Sequence, residues 1–309
     1  MLMAMNLEFN LTSDVFLTSP LKWAGGKRWL APVLNAVWRK YDGCRLVEPF
    51  VGGMSVAMAL RPKTALLADI NPHLVNFFRW LASEDGLAPK FAAQNEEVYY
   101  AARNEFNALI SHPDGVGSKR AAELFYFLNR TCFNGICRFN ASGGFNVPYG
   151  QRVNVPVDTN LLPYREALRE WELKCCSFEA LTPEPTDFVY ADPPYDEGWT
   201  TYSAGGFSWD DQVRLAHWLV EHTGPTIASN HFTDRVVELY TSLGFEALMV
   251  MAPRRINSTG DRSPKAEALF VRGLDSEIVK AAVALLPTFA ANPKAAASDD
   301  NQMDFGLFE

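Results

Sequence analysis

The four residues Asp192-Pro193-Pro194-Tyr195 suggest the most specific chemistry in this sequence. They follow the largely apolar run 187–191, which predicts a buried strand, and open α/β sheets bind ligands where such strands end. An aromatic amine is a poor nucleophile because its lone pair is delocalised into the ring. The Asp192 carboxylate and the Pro193 carbonyl oxygen can accept the two amine hydrogens and free that lone pair for attack on a methyl donor. Tyr195 offers a face on which a base can stack. The alternative is a proline-rich turn in which the aspartate only caps the backbone.

Two glycine pairs in the first seventy residues predict a nucleotide-type binding site. A strand, a turn containing Gly52-Gly53 and a helix follow one another, an order typical of nucleotide-binding folds. The next strand, 65–68, ends at Asp69, an acidic residue placed to accept hydrogen bonds from ribose hydroxyls. The other pair, Gly25-Gly26, would let backbone approach a ligand closely. Simpler interpretations remain open, namely a helix cap for Asp69 and a turn before a helix beginning near Trp29.

The middle of the chain carries a basic, aromatic segment. Between residues 119 and 169, seven Lys or Arg outnumber three Asp or Glu, although the whole chain has a net charge of −8. Residues 130–150 alternate Asn, Arg and aromatic types around a glycine pair, which predicts a β-hairpin with its tip near 141–144. Asn and Arg can recognise the edges of bases, and Phe can wedge into a base stack. A solvated charged face with buried aromatics is the competing interpretation.

These segments are set in an alternation of helices and strands that predicts an α/β fold. A capping box, Ser208 with Asp211, marks one helix start, and residues 112–115 predict a turn. The apolar periodicities predict helices at 55–60, 73–82, 96–110, 119–129, 162–172, 209–222 and 233–243, and later strands at 187–191, 225–228, 246–251 and 267–271. Residues 1–18 are expected to be a flexible extension, and 290–309 a disordered acidic tail.

Composition limits the class of protein. A chain of 309 residues with 48% hydrophobic and 21% charged residues is typical of a globular protein. Its apolar runs are shorter than the roughly 20 residues that span a bilayer, and its start lacks a signal-peptide pattern. Five cysteines show no zinc spacing and five histidines no metal constellation. We therefore expect no membrane association, no metal, reduced thiols and a cytoplasmic location.

Taken together, the motifs resemble the Dam-like family of DNA adenine-N6 methyltransferases. The resemblance covers residues 20 to about 272 in the family's motif order. The matching stretches are Lys22-Trp23-Ala24-Gly25-Gly26-Lys27, Val47-Glu48-Pro49-Phe50-Val51-Gly52-Gly53, Ala68-Asp69-Ile70-Asn71, 128–150, Asp192-Pro193-Pro194-Tyr195, Ser229-Asn230-His231 and the segment from Arg254 onward. The resemblance implies S-adenosylmethionine as methyl donor, S-adenosylhomocysteine as product and double-stranded DNA as substrate.

The resemblance also implies roles for particular residues. Asp192, Pro193, Pro194 and Tyr195 would form the catalytic motif. Donor contacts, including the loop beside the methionine part, would be Trp23, Lys27, Phe50, Gly52, Asp69 and Asp192. DNA contacts, with GATC as the expected target, would be Lys22, Arg130, Phe133, Asn134 and Arg138. Met54 departs from the family pattern, since many members have a small glycine there. We expect this change to alter the fit to the donor without abolishing binding.

The implied architecture is a Rossmann-like S-adenosylmethionine-dependent methyltransferase domain with an inserted helical and β-hairpin DNA-recognition domain. The catalytic domain would comprise residues 19–71 and 159–289, and the recognition domain 72–158. The adenine would be flipped out of the duplex, because its N6 lies inside the base stack. We expect a monomer.

Two other functions remain open at this point, together with the role of the tail. One is N4-methylation of cytosine, an amine of the same chemical type, and the other is a non-catalytic DNA-binding relative. The sequence does not decide whether a restriction-modification partner exists. The end of the tail, Gln302 to Phe308, is similar to short peptides that bind bacterial sliding clamps. Docking of the tail on its own domain is the alternative.

Overall fold

The computed structural model describes residues 17–151, 160–196, 206–253, 263–284 and 286. The basic loop 254–262, the clamp-like tail and most of the N-terminal extension lie outside these described residues. The strands are β1 Leu46–Glu48, β2 Ala65–Asp69, β3 Trp171–Cys175, β4 Phe188–Ala191, β5 Thr226–His231, β6 Glu246–Ala252 and β7 Lys265–Arg272. The helices are α1 Ala31–Trp38, α2 Ser55–Leu60, α3 Pro72–Ala82, α4 Glu96–Ile110, α5 Pro113–Val116, α6 Lys119–Thr131, α7 Leu162–Leu168, α8 Trp209–Glu221, α9 Asp234–Ser242 and α10 Ser276–Val283.

The strands form one seven-stranded sheet in the order β3-β2-β1-β4-β5-β7-β6. Strands β1 to β5 pair in parallel, and β7 runs antiparallel between β5 and β6. The strand order reverses between β1 and β4, where loops diverge and leave a crevice at the carboxyl ends. The ends of β1, β2, β4 and β5 therefore meet at one edge of the sheet. The predicted α/β class is confirmed, and the sheet is consistent with a Rossmann-like methyltransferase fold.

Helices cover both faces of this sheet, which explains why its central strands are short apolar runs. Every residue of β1 and β4 is buried, as expected for parallel strands covered on both sides. One apolar cluster joins α1, α2 and α10 to a face of the sheet, and a second joins α8 and α9 to the opposite face. Because both faces are packed, the carboxyl edge of the sheet is where functional side chains can gather.

The helices between β2 and β3 pack against the sheet as well as against one another. Helix α3 contacts α6 through parallel rings of Phe77 and Tyr126, whose centroids are 5.6 Å apart. Tyr126 and Phe125 belong to the same apolar cluster as α1 and α2. The predicted recognition region, which begins at residue 72, thus starts with a helix that shares its core with the rest of the protein.

A chain reversal at residues 140–144 follows α6, at the place where the sequence predicts a hairpin tip. The Asn140 amide donates to the Gly144 carbonyl at 2.9 Å, and Phe139 bridges to Phe145 in antiparallel orientation. Asn107 of α4 both donates to the Phe145 carbonyl and accepts from its amide, at 3.1 and 2.8 Å. The reversal is therefore fastened to α4, which fixes its position relative to the helices.

Some predicted boundaries are wrong, and one strand is absent from the predictions. The helix predicted at 162–172 ends at Leu168, and the chain then forms β3. The sequence of residues 171–175 alternates apolar and charged types, the pattern of an edge strand, and this period of two was taken for the end of a helix. Residues 113–116 form the short helix α5 within the predicted turn, and α10 follows the last strand. No helix of the described residues is long and apolar enough to cross a membrane.

Candidate active site

Asp192 lies directly after β4 and is paired with a buried lysine. The Lys27 Nζ atom is 3.0 Å from Asp192 Oδ1 and 3.9 Å from Glu267 Oε2. Lys27 is only 4% exposed, and its ammonium also donates to the Gly25 carbonyl at 2.8 Å. The glycine turn 25–26 thus brings a cation from the N-terminal segment to the carboxyl end of β4 and the amino-terminal part of β7.

Ser229 provides a second hydrogen bond to the same carboxylate oxygen. It lies on β5, is fully buried, and donates its hydroxyl to Asp192 Oδ1 at 2.6 Å. Among the described residues, none donates a hydrogen bond to Asp192 Oδ2 or to the Pro193 carbonyl oxygen. The two acceptors predicted to engage an amine are therefore not used by the surrounding described residues, while the other carboxylate oxygen is held.

Tyr195 is held from three directions. Its hydroxyl donates to Glu267 Oε2 at 2.7 Å, the Lys27 ammonium lies 4.7 Å from the ring centroid, and His231 meets the ring edge-on at 4.9 Å. Burial raises the pKa of Tyr195 well above its ordinary value, and the nearby Asp192 raises it further. The hydroxyl therefore remains protonated and acts as a donor.

The turn after Asp192 is fixed by a buried chain of side-chain amides. Gln212 of α8 donates to the Pro194 carbonyl at 2.8 Å, and Asn230 of β5 donates to Gln212 Oε1 at 2.9 Å. Asn230 Oδ1 in turn accepts the backbone amides of His231 at 2.8 Å and Asp196 at 3.3 Å. Gln212 and Asn230 are buried, so water cannot substitute for these bonds. Gln212 was not among the residues predicted from the sequence.

The predicted donor side lies at the carboxyl ends of β1 and β2. Asp69 accepts the Gly52 amide at 3.0 Å and the Asn71 amide at 2.9 Å, and burial raises the pKa of its carboxyl group. Gly52 has a φ of +47°, and a Cβ there would lie 2.8 Å from Nε1 of Trp23. The tight packing of Trp23 on this turn explains why glycine is needed at position 52. Trp23, Gly52 and Asp69, three of the predicted donor contacts, therefore lie together at this turn.

Phe50 and Met54 complete the turn between β1 and α2. The Phe50 ring lies 5.7 Å from Phe178 and 5.6 Å from Phe207, which makes an aromatic wall beside the turn. Met54 is fully buried and has a left-handed φ of 62°. A side chain in that conformation costs roughly 1–2 kcal/mol relative to glycine. A glycine at this position would adopt the same conformation without that cost.

Glu48, at the end of β1, is a buried carboxyl group for which no role was predicted from the sequence. Its Oε1 atom has no hydrogen-bond partner among the described residues. Burial raises the pKa of Glu48 well above its ordinary value, and the charge of Asp192 raises it further, while a bond from the Ala57 amide opposes the rise. An acidic residue at the end of an otherwise apolar strand was the available signal. Glu48 therefore adds a third carboxyl group near Asp192, which already shares Lys27 with Glu267.

The predicted DNA contacts on either side of α6 include a compact group. Asn129 accepts the Lys22 amide and donates to the Lys22 carbonyl, both at 2.8 Å, and Lys22 Nζ donates to the Arg130 carbonyl at 2.8 Å. A Cβ on Gly135 would lie 2.3 Å from the Lys22 side chain. The N-terminal segment therefore packs directly on the turn that follows α6.

That turn displays the other predicted contacts. Phe133 is 50% exposed, which is unusual for so large an apolar side chain, and Asn134 has a left-handed φ of 55°. Arg138 is exposed and donates through Nε to Asn146 Oδ1 at 2.8 Å across the chain reversal. Within the described parts of the chain, no group of three His, Cys, Asp or Glu side chains is arranged to hold a metal ion.

Comparison with known proteins places this geometry in a family. The family model of the D12 class N6 adenine-specific DNA methyltransferases matches residues 23–256. The chain is 34% identical over 270 residues to the retron Ec67 DNA adenine methylase of Escherichia coli, covering 83% of this chain and 92% of that protein. It is 36% identical over 282 residues to the DNA adenine methylase of Vibrio cholerae serotype O1, covering 83% and 97%. It is 33% identical over 275 residues to the type II methyltransferase M.MjaIII of Methanocaldococcus jannaschii, covering 78% and 93%. With the sheet, the Asp192 motif and the Asp69 turn in the arrangement described above, the chain belongs to the D12 class of N6 adenine-specific DNA methyltransferases.

Proposed function

We propose that this adenine-N6 DNA methyltransferase takes its methyl group from S-adenosylmethionine and acts on adenine in double-stranded DNA at GATC. The proposal rests on the contacts of Asp192, which in the described residues involve only one of its two carboxylate oxygens. Lys27 and Ser229 both bind Oδ1, which leaves Oδ2 to accept a hydrogen from an amine. The family favours adenine over the N4 atom of cytosine, and enzymatic activity over a non-catalytic role.

The residues around Asp192 can prepare an exocyclic amine for attack. Asp192 Oδ2 and the Pro193 carbonyl oxygen accept its two hydrogens, which reduces delocalisation of the nitrogen lone pair into the ring. Tyr195 stacks on the base once it has left the duplex. The buried surroundings strengthen these hydrogen bonds, and the fixed geometry removes the need for reorganisation during the reaction.

The residues at the ends of β1 and β2 fit the proposed donor. Asp69 retains acceptor capacity for ribose hydroxyls beyond its two backbone bonds, and Trp23, Phe50 and Gly52 line the neighbouring turn. Asp192 and Glu267 share the single charge of Lys27, and this surplus of carboxylates favours a ligand that carries positive charge. S-adenosylmethionine, when bound, supplies an electrophilic methyl group on a sulfonium ion. The orphan oxygen of Glu48 is consistent with a further polar partner at this place.

The target preference is assigned to the region between β2 and β3. We propose that residues 72–158 form the recognition domain, and that Lys22, Arg130, Phe133, Asn134 and Arg138 contact the DNA. The exposure of Phe133 and Arg138 supports this assignment. A bidentate arginine can specify guanine, and a protruding aromatic ring can occupy the space left by a flipped base.

The Asp192→Ala variant tests the proposal. We expect it to lose methyl transfer to a GATC duplex while it stays folded and largely retains binding of radiolabelled S-adenosylmethionine. Asp210→Ala, an exposed aspartate on α8, is the matched control and should methylate normally. Methylation by Asp192→Ala at a rate near that of the wild type would refute the assignment. Sequencing of DNA from cells expressing the protein, with detection of modified bases, tests the GATC target.

We further propose that the protein is a cytoplasmic monomer and that its tail tethers it to a sliding clamp, which would raise its concentration near replicating DNA. A labelled peptide of residues 298–309 should bind the clamp of the host. The peptide with Gln302→Ala and Phe308→Ala should not. Equal binding of the two peptides, or no binding of either, would favour docking of the tail on its own domain.

A further inference from the structure

Three side chains from distant parts of the chain meet beside the catalytic motif. Tyr195 follows β4, Glu267 lies on β7, and Lys27 comes from the segment before α1. Glu267 Oε2 accepts the Tyr195 hydroxyl at 2.7 Å and lies 3.9 Å from Lys27 Nζ. Glu267 reaches this position because β7 pairs antiparallel with β5, in a register that sets it opposite His231.

Neutralisation of charge does not explain the presence of Glu267. Lys27 lies closer to Asp192, at 3.0 Å, than to Glu267. The Glu267 side chain is 15% exposed, and a largely enclosed carboxylate with only a share of one ammonium contributes little to stability. Burial also raises the pKa of Glu267, with a contribution from Asp192 that Lys27 opposes. Because charge balance does not account for Glu267, its place beside the catalytic motif points to a role in the reaction.

The contacts show what Glu267 can control. Its bond to the hydroxyl anchors the far end of the Tyr195 side chain, and so fixes the direction in which the ring extends from the backbone. Its charge also attracts the Lys27 ammonium, which lies 4.7 Å from the centroid of the same ring and binds Asp192. Without this competing carboxylate, Lys27 would pair with Asp192 alone and make it a poorer acceptor for an amine hydrogen.

We propose that Glu267 is a positioning residue for methyl transfer, which anchors the Tyr195 ring in place for the stacked adenine and divides the charge of Lys27 between two carboxylates. The proposal rests on the proposed function of the Asp192 motif. It assigns Glu267 no contact with the reacting atoms. It predicts that the two effects, orientation and charge, can be separated by substitution.

Three variants separate these effects. Glu267→Gln keeps an acceptor for the tyrosine hydroxyl and removes the charge, Glu267→Leu removes both, and Tyr195→Phe removes the donor while it keeps the charge. Loss of one hydrogen bond to a charged group is expected to lower the single-turnover rate about tenfold. We expect Glu267→Leu to have the largest effect. The Tyr195→Phe substitution should add little in the Glu267→Leu background, since their shared bond is already lost.

The experiment measures single-turnover methylation of a GATC duplex, and the fluorescence of 2-aminopurine at the target adenine as a report of stacking. Tyr195→Phe and Glu267→Leu should alter the fluorescence of the bound duplex, whereas Glu267→Gln should slow methylation and leave the fluorescence near that of the wild type. Glu246→Gln is the matched control, because Glu246 also pairs with a lysine, Lys280, but at an exposed site on β6. It should change neither signal.

A purely structural role for Glu267 predicts a different outcome. The variants would then lower the melting temperature without changing the rate or the fluorescence at a temperature well below it. That result, in a wild-type protein that methylates adenine, would overturn the proposal and leave the proposed function standing. A wild-type protein that fails to methylate adenine would instead refute the proposed function itself.

Discussion

The amide chain behind the catalytic motif gives the sharpest test of how the active site is held. We consider the substitution Gln212→Met. Methionine has nearly the shape of glutamine, so the change opens no cavity and removes only the hydrogen bonds. Gln212 donates to the Pro194 carbonyl and accepts from Asn230 Nδ2. Both partners are left unsatisfied in the variant, and Asn230 is completely buried.

The cost follows from these two groups. Each buried polar group that loses its partner costs about 1–3 kcal/mol, so the free energy of unfolding should fall by about 2–6 kcal/mol. Such a loss is a large part of the roughly 5–15 kcal/mol that stabilises a typical domain. The peptide between Pro194 and Tyr195 also loses its anchor. A small displacement of the motif should lower the methylation rate about 10- to 100-fold.

Urea unfolding and single-turnover methylation, measured on the same preparations, test both expectations. His217→Met places the same residue at an exposed site of α8 and is the matched control. The double variant Gln212→Met with Asn230→Leu should lose less free energy of unfolding than the two single variants lose in sum. Each single change leaves one partner of the Asn230–Gln212 bond unsatisfied, and the double variant lacks both partners. A Gln212→Met protein that unfolds and methylates like the wild type would refute the reasoning.

Two other predictions concern recognition and pH. Arg138→Ala should relax the choice of target more than it weakens non-specific binding, since a bidentate contact to guanine gives about 1–3 kcal/mol of discrimination. Methylation of GATC duplexes with each base replaced in turn measures the choice of target. An unchanged preference at every position would remove Arg138 from the recognition residues. Burial, with the His73 ring stacked on Phe139 at 4.7 Å, lowers the pKa of His73 from 6.5 to about 4. Between these values the unfolded chain binds a proton that the folded protein does not, so stability should fall as the pH drops from 6.5 towards 4, by up to roughly 3 kcal/mol from this group. Urea titrations should show this loss in the wild type and not in His73→Phe.

Elements with strong local signals could be predicted from the sequence. Helix α4 has the predicted bounds, because Asn95 caps its start and apolar positions recur at helical spacing. The capping box of Ser208 and Asp211 is formed as predicted. The meeting of Lys27 with Asp192 could be expected only through the family resemblance, since the two lie far apart in the chain.

The contacts that hold the site could not be predicted, because they depend on strand order and register. An apolar strand such as β7 has the same pattern whether it runs parallel or antiparallel, so nothing local places Glu267 beside Tyr195. Gln212 did give a signal. It occupies the buried stripe of α8 with Leu215, Ala216 and Leu219, and a polar residue in such a stripe requires a partner. The sequence cannot say which partner.

The segment from Lys22 to Lys27 is fastened at both ends. At one end the backbone amide and carbonyl of Lys22 both hydrogen-bond to the side-chain amide of Asn129 on α6. At the other, the Lys27 amide donates to Ser55 at 3.1 Å while its ammonium reaches Asp192. Between these two ends the chain makes a tight turn, in which the Gly26 amide donates to the Trp23 carbonyl at 3.4 Å, so one inserted or deleted residue would release one of the two ends. Natural variation here should therefore take the form of exchanged side chains, and gaps in this segment should be confined to proteins that have lost the activity.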